Sequence, residues 1–178
     1  YYSADPTIAN ENDDVKWLQL YIKAEKYFNI SRSFALGAEA NALASTRKLM
    51  NNYYASIVQA SAFTPTPSWS SVFNPGYRAN SYVTAGLIPI WKITDNLQLR
   101  GETHAFMPIR PIEAVEQSAS AQYGPWISRP HFMAEAALVF NLPFATLSAY
   151  VNYKDHPTAD WNFGVSFGLY FLAPRFLN

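Results

Sequence analysis

The segment Trp161–Phe171 reads W-N-F-G-V-S-F-G-L-Y-F. Trp161, Phe163, Val165, Phe167, Leu169 and Phe171 are large and apolar, while Asn162, Gly164, Ser166, Gly168 and Tyr170 between them are small or polar. A strict period of two describes a β-strand with different surroundings on its two faces. One face is too bulky and aromatic for water, and the other is too small and polar for an ordinary core. Apolar outside and polar inside is the alternation of a transmembrane β-barrel strand.

The same alternation recurs along the chain. In Val15–Phe28, Leu18, Leu20, Ile22 and Ala24 oppose Gln19, Tyr21, Lys23 and Glu25. In Phe34–Leu43, Leu36, Ala38, Ala40 and Ala42 oppose Gly37, Glu39 and Asn41. Ala, Leu and Glu make a helix the rival there, but Gly37 and the flanking alternation favour a strand. Asn51–Phe63 reads as a weaker strand with Tyr54, Val58, Ala60 and Ala62 on its apolar side. Arg78–Lys92, Leu97–Arg110, Phe132–Phe140 and Phe144–Lys154 alternate in the same way. Pro65, Pro67, Pro75 and Gly76 mark one long loop, and 111–130 is a second.

The expected fold is therefore all-β: an antiparallel transmembrane β-barrel with about eight strands of about ten residues each, the length a tilted strand needs to cross a bilayer. Residues 1–14 are expected to be a loop or the end of a preceding strand, and 15–178 the barrel strands. Residues facing each other across a hairpin must share a face. That condition is met with Ile93 opposite Leu97, Phe140 opposite Ala145 and Tyr27 opposite Ser31, each closing a short hairpin.

Composition changes this picture little. The 178 residues suit one domain, and 13 Lys+Arg balance 13 Asp+Glu. No basic field calls for nucleic acid. Cysteine is absent, which excludes disulfides and thiolate metal sites. No stretch reaches the roughly 20 apolar residues of a membrane helix. The chain opens Tyr1-Tyr2-Ser3 without Met, as a mature protein or an excised piece does; a piece of a longer protein is the expectation.

Chemistry-bearing motifs are few. Gly164-Val165-Ser166-Phe167-Gly168 matches G-x-S-x-G, which in a serine hydrolase is a strand-to-helix elbow. Here the alternation runs through Ser166 unbroken, and no helical pattern follows. His104, His131 and His156 lack metal-ligand spacing. No catalytic, cofactor-binding or metal-ligating residue is expected in this chain. Lys23, Glu25, Glu39, Arg100, Glu102 and Glu135 share the inferred inner face, where a hydrogen-bonded lumen network suits them better than catalysis. A Lys or Arg on the lipid face costs about 2–4 kcal/mol at the midplane. Tyr53, Tyr54, Tyr82, Trp91, Trp126, Tyr153 and Trp161 fall near strand ends, as in an interfacial aromatic girdle.

The stretches Phe63-Thr64-Pro65-Thr66-Pro67, Phe73-Asn74-Pro75-Gly76-Tyr77-Arg78-Ala79-Asn80, Gly86-Leu87-Ile88-Pro89-Ile90 and Leu99-Arg100-Gly101-Glu102 carry a resemblance. Across about residues 15–178 the chain resembles the C-terminal barrel region of patatin-like phospholipases of Bacteroidetes-type outer membranes, within the BamA/TamA-like barrel superfamily. The resemblance implies a barrel of about sixteen strands, of which this chain is the last eight. It also implies a long loop, bearing an Arg followed by Gly and an aromatic, that folds back into the lumen. Arg78 is followed by Ala79 and Asn80, so that motif is only partly met. The family's lipase domain, with its serine elbow and Asp-Gly motif, lies upstream, and this chain has no Asp-Gly pair.

On this reading the protein belongs to the bacterial outer membrane, with the lipid bilayer and an upstream lipase domain as partners; a homo-oligomer stays open. It anchors that domain and helps to place it across the membrane. A free-standing eight-stranded barrel with a structural or narrow-pore role is the alternative. A soluble β-barrel binding module is the second, opposed by the large apolar patch it would expose. The structural lumen candidates are Arg78, Arg100, Glu102 and Glu135. If the loop 64–77 folds inward, Arg78 is expected to pair with Glu102 first and Glu135 second. The rival position for Arg78 is the rim, solvated or beside Glu113.

Overall fold

A computed structural model gives the fold and describes residues 16–169. The expectations for residues 1–14, and for Tyr170 and Phe171 at the end of the last strand, lie outside the described residues.

The strands in chain order are β1 (Gln19–Asn29), β2 (Phe34–Ser45), β3 (Ser61–Ala62), β4 (Arg78–Ala79), β5 (Tyr82–Lys92), β6 (Leu97–Pro108), β7 (Ile112–Ala114), β8 (Ala121–Tyr123), β9 (His131–Asn141), β10 (Ala145–Lys154) and β11 (Asp160–Leu169). Seven of them form one antiparallel sheet in the order β1-β2-β5-β6-β9-β10-β11. Pairs β3–β4 and β7–β8 are small separate ribbons. The chain is therefore mostly β and antiparallel, with seven long strands among the described residues in place of the eight expected. Among the described residues the sheet is open, since β1 pairs only with β2 and β11 only with β10.

The missing strand is Asn51–Phe63. Tyr53–Gln59 is helix α1. The Asn52 side chain caps it, accepting from the Tyr54 and Ala55 amides. Ser56 Oγ donates to the Asn52 carbonyl. Tyr53, Ile57 and Ala60 recur at helical spacing and pack on Ile112 of β7 together with Leu49, Ala121 and Tyr123. A helical stripe beneath an N-cap overrode a weak alternation. The loop after it holds a short helix α2 (Pro67–Ser70) and a 3₁₀ turn at Pro75–Tyr77.

Every hairpin keeps the expected facing, though two registers differ. Ile93 donates to the Leu97 carbonyl, as expected. Phe140 lies opposite Leu147, not Ala145, because the turn tightens to Leu142–Ala145. Tyr27 lies opposite Gly37, not Ser31, because Ile30 closes onto Phe34. Both shifts are even numbers of residues, so no side chain changes face. Gly37 leaves room for the Tyr27 ring: a Cβ on it would meet Tyr27 Cε1 at 2.6 Å.

The two faces differ as the alternation requires. Leu20, Ile22, Leu87, Leu99, Leu138, Leu147, Phe163, Val165 and Phe167 form an exposed apolar face, with Phe163 88% exposed. The opposite, inner face is covered in part by residues 61–79 of the crossing segment, which joins β2 to β5. Leu43, Phe63, Trp69, Tyr77, Ala79, Tyr82, Phe106 and Met133 make one buried cluster there. Phe106 is its hub, 5.0 Å from the Tyr82 ring, 5.6 Å from Tyr77 and 6.0 Å from Phe63. Tyr82 therefore belongs to this inner cluster and not to a girdle, and Tyr53, on α1, packs against the cluster around Ile112. Tyr54, Trp91, Trp126 and Trp161 are exposed.

Candidate functional site

The polar side chains of the inner face meet in a belt across the sheet. On β1 and β2, Lys23 Nζ lies 2.9 Å from Glu25 and 2.9 Å from Glu39. Asn41 Nδ2 donates to Glu39 at 2.6 Å and to Thr84 Oγ1 on β5 at 2.9 Å. Tyr21 completes the cluster, donating to Asn41 Oδ1 at 2.8 Å.

On β6, Glu102 accepts from both neighbours on its own face. Arg100 Nη2 is 2.7 Å from one carboxylate oxygen, and His104 Nε2 is 3.1 Å from the other. The His104 ring lies against Gly86 on β5, where a Cβ would overlap it. The register sets Glu102 opposite Glu135 of β9 and Glu135 opposite Asn152 of β10. Glu135 forms no ion pair among the described residues. It takes hydroxyls from the crossing segment instead: Thr66 Oγ1 at 2.7 Å and Ser68 Oγ. Asn152 Nδ2 donates to Ser68 at 3.2 Å.

The crossing segment is tied down again nearer the loop end of the sheet. Tyr77, wholly buried, donates to the Phe132 carbonyl at 2.6 Å and lies 3.0 Å from Asp155 Oδ1. Burial, then the Asp155 carboxylate, pushes its phenol well up, so it stays a donor. Lys154 Nζ donates to Asn74 at 3.2 Å. Gly76 passes over His156, whose ring stacks on His131 at 3.8 Å. Burial lowers the His156 pKa below its ordinary value of 6.5.

Of the four lumen candidates, Arg100, Glu102 and Glu135 lie on this face and close together. Arg78 does not join them. Its Nη1 donates to the carbonyls of Val58 at 2.9 Å, Ala60 at 3.0 Å and Ile57 at 3.4 Å, and Phe73 stacks on it at 4.8 Å. The expected pairing of Arg78 with Glu102 or Glu135 is thus wrong, although the segment does fold inward. Two causes are visible. Glu102 is already occupied by Arg100 and His104, and the last carbonyls of α1, which lack partners within the helix, attract a guanidinium. The residues that reach Glu135 are Thr66 and Ser68, interleaved with Pro65 and Pro67. Proline stiffens that stretch, and the alternating hydroxyls were the one legible hint.

The crossing segment leaves a cavity on each side. One of about 380 Å³ is lined by Tyr21, Lys23, Glu39, Thr64 and Tyr82. The other, about 290 Å³, is lined by Arg100, Glu102, Glu135, Thr146, Ser148 and Ser166. Ser166 sits within β11 opposite Ser148, and the strand continues through it without an elbow. The arrangement is a polar wall that hydrogen-bonds an inserted segment. Compared with protein-family models, curated proteins and solved structures, the chain gives no match.

Proposed function

We propose that the chain supplies strands of a bacterial outer-membrane β-barrel, the C-terminal barrel region of a patatin-like phospholipase. In this reading it anchors an upstream lipase domain and helps to place it across the membrane. The observation that carries the reading is the outer face: large apolar side chains stand exposed on strand after strand, from Leu20 and Ile22 to Phe163 and Phe167. Leaving such a face in water costs about 25 cal/mol per Å², and lipid removes that cost.

The inner face favours a part of a larger barrel over a free-standing eight-stranded one. An eight-stranded barrel is filled by its own side chains. Here the inner face carries Phe63, Trp69 and Tyr77 from a crossing segment and still keeps cavities of about 380 and 290 Å³. Ester hydrolysis is assigned to the upstream domain, and Ser166 to the polar lining.

The test is an insertion assay that compares the two faces of β11. Val165→Arg should block stable insertion, at a cost of about 2–4 kcal/mol near the midplane. Ser166→Arg, beside the 290 Å³ cavity, should insert. Equal behaviour of the two variants sinks the barrel reading. Separately, covalent labelling of Ser166 by a fluorophosphonate would overturn its non-catalytic assignment.

A further inference from the structure

The geometry points to an anion site at the loop end of the sheet that takes the phosphate headgroup of a membrane amphiphile. This rests on the barrel reading above. A crevice of about 290 Å³ lies beyond the ends of β2, β5 and β6, lined among others by Thr46, Arg47, Lys48, Asn80, Arg110 and Trp126. It carries three cations, none of which forms an ion pair among the described residues. On the inner face, by contrast, Lys23 and Arg100 are each matched by a carboxylate.

The cations are held in place without being neutralised. The Arg110 guanidinium lies 4.4 Å from the Tyr123 ring centre and 5.1 Å from that of Trp126. Its Nε is buried without a hydrogen-bond partner. Arg47 stacks on Trp17 at 3.8 Å and donates to the Gln59 carbonyl. Lys48 is exposed. The wall behind them is fixed by Asn80 Nδ2, which donates to the Arg47 carbonyl at 3.0 Å and to Tyr123 Oη at 2.8 Å. Planar guanidinium groups beside an ammonium suit a phosphoryl group, which accepts from both.

An amphiphile is favoured over free phosphate by what adjoins the crevice. Thr46, Ser81 and Ile109 continue the alternation of the outer face. The outer row Ala42, Val83 and Met107 lies directly below, paired across the three strands. A headgroup in the crevice thus places its acyl chains on the apolar face, and the exposed Trp126 takes the interfacial level that aromatics prefer.

The test is native mass spectrometry of the full-length protein released from nanodiscs of phosphatidylcholine mixed with phosphatidylglycerol. The expected result is selective retention of phosphatidylglycerol. Arg110→Gln and Lys48→Gln should each lower it about fivefold, the effect of one basic residue at an anionic surface. Arg32→Gln and Lys92→Gln at the short-turn end should change it less than about twofold. Normal insertion with no lipid preference, or equal loss in all four variants, overturns the site while leaving the barrel reading intact. Displacement of the lipid by millimolar inorganic phosphate overturns the amphiphile in favour of a free-phosphate site. Failure to enter nanodiscs removes the barrel reading and the site together.

Discussion

Glu102 and Glu135 face each other across β6 and β9, yet they are stabilised by different chemistry. Glu102, 3% exposed, is held by Arg100 and His104, so its charge is matched. Glu135 meets hydroxyls of the crossing segment. Removing the first charge strands a guanidinium and an imidazole, whereas an amide at the second position still accepts from Thr66 and Ser68. Glu102→Gln is therefore expected to destabilise by about 2–3 kcal/mol, and Glu135→Gln by about 1 kcal/mol. Urea titration followed by heat-modifiable gel migration measures both. His156 gives a pH dependence. Its folded pKa lies below 6.5, so below that value the unfolded chain binds the proton more readily. Stability should be unaffected by this group at neutral pH and fall as the pH drops through 6.5. His156→Gln should reduce the slope between pH 7 and pH 5, the remainder belonging to His131, whose pKa burial also lowers.

At the level of elements, the seven long strands were legible because each carries a binary pattern over ten or more positions. Phe34–Ser45 resolved as a strand despite its helix-forming residues, since Glu39 and Asn41 find partners across the sheet. The pattern was less informative where a segment packs on something other than a flat face. Helix α1 presents Ile57 and Ala60 to Ile112, and its period was masked by a run too short to show two turns clearly. The Asn52 cap was the usable signal. Asn52→Ala should cost about 0.5–2 kcal/mol. It should raise hydrogen exchange in 53–59 while leaving β5 and β6 protected. Hairpin register was recoverable only modulo two, because facing constrains parity and not offset. The partner of Arg78 was illegible for a further reason: its ligands are main-chain carbonyls, which leave no mark in side-chain identity.

For the molecule as a whole, the open sheet has two unpaired borders, β1 and β11, among the described residues. Unpaired strand borders beside an apolar face recruit other chains. Residues 16–169 expressed in water without lipid or detergent should therefore aggregate. Sedimentation of this piece as a monodisperse monomer would contradict the open borders as a property of the isolated sheet.

The segment that joins β2 to β5 bears on the order in which the proposed barrel would assemble. These strands are neighbours in the sheet, and the segment lies across the inner face with Trp69 and Tyr77 buried against Phe106 and Met133. In the proposed barrel, so bulky a length of chain would have no route inward after closure except by threading past the rim. Docking on a still-open sheet needs no threading, and it shortens the loop whose ends β2 and β5 must bring together. If the sheet closes as proposed, the aromatic cluster around Phe106 is expected to form before closure. Trp69→Ala should slow assembly into detergent by nearly its full equilibrium effect and leave the unfolding rate almost unchanged. Slowed assembly with unaltered unfolding would mark a segment docked before the proposed barrel closes.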